Sequence, residues 1–252
     1  MFEYMAHAER IELAKAKMEK VLDHFLYVLE LHANNEFVVY RSVLSQQIPQ
    51  AFAANAFNVF QLGMFQIEII RLCALWDNPD TDKENITTVV ELVDDEQIIE
   101  MLGEETRSHW ANQTTTVLNR ADDPKLAEFE HVALETANIQ FGDAQAAKAR
   151  AELAKSIEEV RTIQSSARLA AVMNVRDKHL AHSLTETRRE KKGPVEPMQK
   201  SDGHWLLLYS SSIIETLFCW INGKSFSIED SVKIDYDNAE ALWGGCRLNV
   251  LR

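Results

Sequence analysis

Glycine and proline are scarce in this chain, eight and five among 252 residues. Few breaks therefore interrupt its helix-forming stretches, and the apolar spacing is helical almost throughout. Cysteine is also rare. Cys73, Cys219 and Cys246 are odd in number and show no CxxC spacing, which excludes a disulfide framework and a cysteine zinc site. No apolar run is long enough to span a bilayer. The N-terminal stretch MFEYMAHAERIELAKAK lacks the basic start, apolar middle and cleavage site of a secretory signal, so a cytoplasmic protein without membrane contact is expected. Basic residues are in deficit: 26 Lys and Arg against 39 Asp and Glu, a net charge of −13. Such a chain repels polyanions at long range, which argues against broad non-specific nucleic-acid binding. A P-loop, GxGxxG, HExxH and GxSxG are all missing, and Glu128 to His131 is a lone Glu-x-x-His. No metal and no cofactor is expected.

What remains is the makings of a helical bundle. Ile11, Ala14, Met18, Val21, Leu22, Phe25 and Leu29 mark a first amphipathic helix. Phe57, Phe60, Met64, Ile67 and Ala74 mark a second, after Pro49, ending at the turn-rich string Asp77-Asn78-Pro79-Asp80. Acids at Asp94 and Asp95 favour a helix start there, and Asp122-Asp123-Pro124 predicts another. The spacing then predicts one helix over 143–182, capped by Asp143. Its stripe is Leu153, Ile157, Val160, Gln164, Ala167, Ala171 and Val175. Residues 185–203 read as a polar, mobile loop and 204–221 as an apolar helix. Residues 225–237 read as strand or irregular structure, followed by a short helix over 237–251. The expectation is a single domain over 1–252, with 1–49 as a helical extension and 223–252 as an irregular end.

Charge is segregated along this pattern. Between 143 and 192 lie eleven basic residues, among them Arg176, Lys178, Arg188, Arg189, Lys191 and Lys192, against seven acids. Between 80 and 105 lie ten acids and only Lys83. Ordinary solvated helix surface accounts for most of both stretches.

The densest chemistry is Arg176-Asp177-Lys178-His179-Leu180-Ala181-His182. On an ideal helix His179 and His182 lie about 60° and about 120° to one side of Arg176, and the rise across the motif is roughly 9 Å. Arg offers a planar, always-charged fork suited to phosphate. His moves protons near neutral pH. Together they suit cleavage of RNA, which carries its own nucleophile in the 2′-OH.

The motif is similar to the Arg-x(4–6)-His signature of the HEPN superfamily, met here by Arg176, polar Asp177 and His182. The string RDKHLAH resembles the bacterial abortive-infection branch, the AbiU-like HEPN proteins. Upstream, Arg71 to Asp77 followed by Ile86-Thr87-Thr88 is similar to a second stretch of that branch. The resemblance spans roughly residues 50 to 222, with specific motifs at two places. It implies an all-α HEPN-like bundle with a long motif-bearing helix and a less regular C-terminal segment. It also implies a homodimer whose motifs face one cleft, and metal-independent ribonuclease activity in a toxin or antiphage effector. A cognate antitoxin is the kind of partner such effectors have. The alternative is a non-catalytic HEPN-type interaction or nucleotide-binding module. One toxin subgroup carries a Tyr two residues after the His. Leu184 stands there in this chain, so modification of such a Tyr is not supported.

Phosphate binding falls to Arg176, proton transfer to His182 and orientation to Asp177. Lys178, His179, Arg188 and Arg189 are candidates for holding RNA. Structural alternatives stand beside these roles. Arg176 can pair with Asp77 or with Asp177 of a second subunit. His179 and His182 can serve the C-terminal end of their helix. Arg71 lies in line with its apolar stripe, which predicts burial with a partner. The small stripe Ala167, Ala171 and Val175 is expected near a two-fold axis.

Overall fold

The computed structural model describes residues 2–48, 52–113, 124–180 and 184–249. Among these the chain is all-α, with no strand. Helix α1 (His7–Asn35) runs through the centre. Its predicted stripe is the core: Ala14, Met18, Val21, Phe25 and Val28 are fully buried at three- and four-residue steps. Helices α2 (Phe52–Ala74), α3 (Ile86–Val93), α7 (Lys200–Asn222) and α8 (Ile228–Trp243) pack on it. Only the C-terminal part of α2 enters the core, through Glu68, Ile69, Leu72 and Cys73. Phe52, Val59 and Leu62 in its first turns stay exposed. Arg71 is exposed as well, its guanidinium 5.7 Å from the Tyr27 ring, so the expected burial is not found. It lies two residues beyond buried Ile69, about 200° round the helix and so on its outer face.

Helix starts follow local side-chain chemistry. Asn85 accepts from the Thr88 amide at 2.8 Å and opens α3. Asp95 accepts from the Gln97 amide at 2.9 Å and opens α4 (Glu96–Ala111), as its acids predict. Each such cap contributes about 1 kcal/mol.

The helix predicted over 143–182 differs from the one observed. Helix α5 (Pro124–Gln164) begins its described length at Pro124, and Asp143 sits inside it, accepting from Arg107 Nε at 2.6 Å across to α4. The helix stops at Ser165–Ser166. The Ser166 hydroxyl donates to the Ile163 carbonyl at 2.7 Å and accepts from the Leu169 amide at 3.1 Å. One side chain thus closes α5 and caps α6 (Ala167–Val175), by competing for backbone groups that a continuous helix would use. The motif follows as a π-helical turn, Arg176–Leu180. It therefore lies beyond the break and not on the long helix. Of the stripe expected at a two-fold axis, Ala171 is buried within its own chain, Val175 is half-buried and Ala167 is exposed.

The C-terminal region also differs from expectation. Ser227 accepts from the Asp230 amide and opens α8, so 225–237 is mostly helix where strand was read. Ile228, Tyr236 and Ala239 face inward, Tyr236 stacking on Phe37 and Ala239 filling a small second core with Ala33. The loose alternation of Phe226, Ile228, Val232 and Ile234 therefore samples two sides of a helix. No helix among the described residues is long and apolar enough to cross a membrane.

Candidate active site

The site begins at the end of α2. Trp76 is buried, and its indole N–H donates to Ser210 Oγ of α7 at 2.8 Å. This fixes the next residue, Asp77. Its backbone carbonyl accepts from Asn85 Nδ2 at 3.2 Å and from the buried Thr87 hydroxyl. Further along the same loop, Lys17 Nζ donates to the carbonyls of Thr81 and Lys83, both at 2.8 Å. A turn held this firmly aims one carboxylate in one direction.

That direction is Arg176. Its Nη1 donates to Asp77 Oδ1 at 2.6 Å, while Nε and Nη2 both donate to Asp177 Oδ1, at 2.9 and 2.7 Å. The other oxygen of Asp177 accepts from Arg189 Nη1. A chain of alternating charge results, Asp77 to Arg176 to Asp177 to Arg189, with the Arg176 side chain only 16% exposed. Burial works to lower the Arg176 pKa, but the hydrogen bonds it donates to both carboxylates outweigh that and raise it above the ordinary arginine value. Arg176 is held as a permanent cation. It has five N–H donors, of which three are used on the described residues, so two remain toward the cleft. Burial pushes the Cys73 thiol up to about 12, so it stays protonated and is no nucleophile.

Of residues 185–203, read as a mobile loop, the first part up to Lys192 is strapped to the motif. Glu190 Oε1 accepts from Lys178 Nζ at 2.8 Å and from Asn174 Nδ2 at 3.0 Å, and Oε2 from the Thr187 amide at 2.9 Å. Those three donors hold the Glu190 carboxyl down to about 2, the Lys178 hydrogen bond being the largest cause. The buried Thr187 hydroxyl donates to Asn174 Oδ1, and the Leu184 amide to the Lys178 carbonyl at 3.1 Å. The strap ends in a 3₁₀ turn, Glu190–Lys192.

Between the strap, the motif and the Asp77 loop lies a cleft of about 880 Å³. Six cationic side chains line it against three carboxylates, although the chain as a whole is strongly acidic. Of the residues singled out in the sequence, Arg176, Asp177, Arg188 and Arg189 line this cleft. Lys178 does not, being spent on Glu190. His179 is exposed and outside the lining, because the π turn rotates it away from Arg176. His182 lies outside the described residues. The pairing of Arg176 with Asp77, one of the structural alternatives, is present within the chain. Glu190, Asn174, Lys83, Lys191 and Lys192 were not assigned from the sequence, and Asp77 entered it only as a structural partner of Arg176. The Ile86-Thr87-Thr88 stretch was a pointer to the first, since Thr87 pins the loop that carries Asp77. Among the described residues no group of three His, Cys, Asp or Glu is placed to hold a metal ion.

The model of the AbiU2 family of HEPN domains matches residues 11–199. No curated protein and no solved structure matches the chain.

Proposed function

The chain belongs to the AbiU2 family of HEPN domains, which carries an abortive-infection context, and from that premise we propose that it is a metal-independent endoribonuclease used in antiphage defence or as a toxin. The observation that carries this reading is Arg176: a permanent cation, clamped by Asp77 and Asp177, with two N–H groups left over at a cationic cleft. In the reaction a base takes the proton from the ribose 2′-OH. The 2′ oxygen attacks the adjacent phosphorus, the bond from phosphorus to the 5′ oxygen breaks, and an acid protonates that leaving oxygen. The products are a 2′,3′-cyclic phosphate and a 5′-OH. Arg176 steadies the charge on the phosphoryl oxygens, and Asp177 and Asp77 orient it. His182 transfers protons. A homodimer supplies a second His182, so that acid and base stand on opposite sides of the phosphate.

Purified full-length protein is expected to cleave RNA, spare DNA and be indifferent to EDTA. Arg176→Ala and His182→Ala should each lower the rate by roughly a hundredfold or more. Unchanged cleavage in both variants overturns the assignment.

One observation favours a second reading, a non-catalytic interaction or nucleotide-binding module: Arg176, Lys178 and Arg189 are all paired with carboxylates of their own chain. Absence of cleavage together with stable capture of a cognate partner, such as an antitoxin, selects it.

A further inference from the structure

The cations around the motif fall into two populations. Arg176, Lys178 and Arg189 are answered by Asp77, Glu190 and Asp177, and these pairs position the strap and the motif. Arg188, Lys191 and Lys192 line the same cleft, and no carboxylate of the described residues pairs with them. Lys83, on the Asp77 loop, donates among the described residues to the Asn78 carbonyl, at 3.2 Å. Glu186 is the one lining carboxylate not committed to Arg176 or Arg189, so these four cations stay in net excess around the cleft, and a bound polyanion relieves their mutual repulsion.

They are also held in place. Thr187, Arg189 and Glu190 turn toward α6 and the motif, and their hydrogen bonds fasten the strap. The residues between and after them, 188, 191 and 192, are left on the cleft side. At about 880 Å³ the cleft is near the top of the range for small-molecule pockets, about 300–1,000 Å³, and exceeds what one phosphate needs.

We propose that Arg188, Lys191 and Lys192, with Lys83, form a subsite for the phosphates flanking the one at Arg176, so that the site takes a single-stranded polynucleotide of several residues. The proposal rests on the ribonuclease reading for its substrate class. It reassigns Lys178 and Arg189 from ligand binding to holding the strap.

The test uses full-length protein and fluorescent single-stranded DNA oligonucleotides, which lack the 2′-OH and are not consumed. Affinity should rise from a dinucleotide to a decamer. The plot of log affinity against log salt should have a slope of about −3, from about −0.7 per phosphate neutralised on a single strand. The triple variant Arg188→Gln, Lys191→Gln, Lys192→Gln should flatten that slope by about 2 and weaken decamer binding roughly a hundredfold at about 0.1 M salt. The double variant Lys191→Arg, Lys192→Arg should keep both. An unaltered slope in the triple variant overturns the proposal. So does inorganic phosphate or polyglutamate displacing the decamer as effectively as unlabelled decamer does. Decamer binding as expected, with no RNA cleavage by the wild type, overturns the nuclease reading and leaves the subsite standing. RNA cleavage with the same KM in the triple variant does the reverse.

Discussion

Arg176 illustrates how one side chain acquires a role from its neighbours. A guanidinium alone is a solvated cation with about 2 kcal/mol of rotamer entropy to lose on binding. Here three of its donors are committed to Asp77 and Asp177, so the fork is preorganised before any ligand arrives. Glu190 does the equivalent for the strap, and its carboxyl is held down to about 2 from an ordinary 4.5. A depressed carboxylate pKa contributes stability that is fully present above 4.5 and is lost as pH falls through about 2. The Thr187 amide, which donates to Glu190, reports this directly. Its NMR chemical shift should titrate with a midpoint near 2, and a midpoint at 4.5 would show that the clip does not form in solution.

At the scale of elements, the α4 and α5 pairing depends on a missing side chain. A Cβ at Gly142 would meet the Arg107 carbonyl oxygen at 2.9 Å and the Ala111 amide nitrogen at 3.2 Å, both backbone atoms. Gly142→Ala gains up to about 1 kcal/mol of helix propensity but overpacks the interface at a cost of about 1–3 kcal/mol. Net destabilisation is expected in urea unfolding. Gly63 of α2 is the control, because nothing lies within 4 Å of its Cβ position. Gly63→Ala should be stabilising by up to about 1 kcal/mol. Equal effects at the two positions would mean that close helix approach is not what Gly142 provides. The same scale explains the break at Ser166. Apolar periodicity runs through it, but a hydroxyl that both donates to the Ile163 carbonyl and accepts from the Leu169 amide ends one helix and starts the next.

Across the whole molecule, the segregated charge finds its partners. Arg150 donates to Glu100 at 2.7 Å and Arg161 pairs with Asp94, joining the basic stretch of α5 to the acidic stretch around α4. Arg168 is spent on the buried Asp202 at 2.8 Å. The local positive excess thereby condenses onto the cleft, where Arg188, Lys191 and Lys192 remain. A two-fold axis beside this cleft would bring two copies of the motif together, as isologous interfaces do. The protein should therefore sediment as a dimer at micromolar concentration. A monomer, or a dimer with its motifs on opposite outer faces, would remove the composite site.

The all-α class, the core stripe of α1 and the helix start at Asp94-Asp95 were legible in the residues alone, because periodicity and capping act over three or four positions. So was the motif, since the unusual density of Arg, Asp and His is itself the signal. The rest depended on contacts between residues far apart in the chain. Asp77 reaches Arg176 across 99 positions. Glu190 turns a polar segment into a strap by gathering donors from α6, the motif and its own backbone. Helix α8 forms where alternation suggested strand because Tyr236 and Ala239 find Phe37 and Ala33 to pack against. Local spacing states which face a segment offers. Which partner meets that face, and hence which cations are spent and which stay free, depends on how the helices assemble.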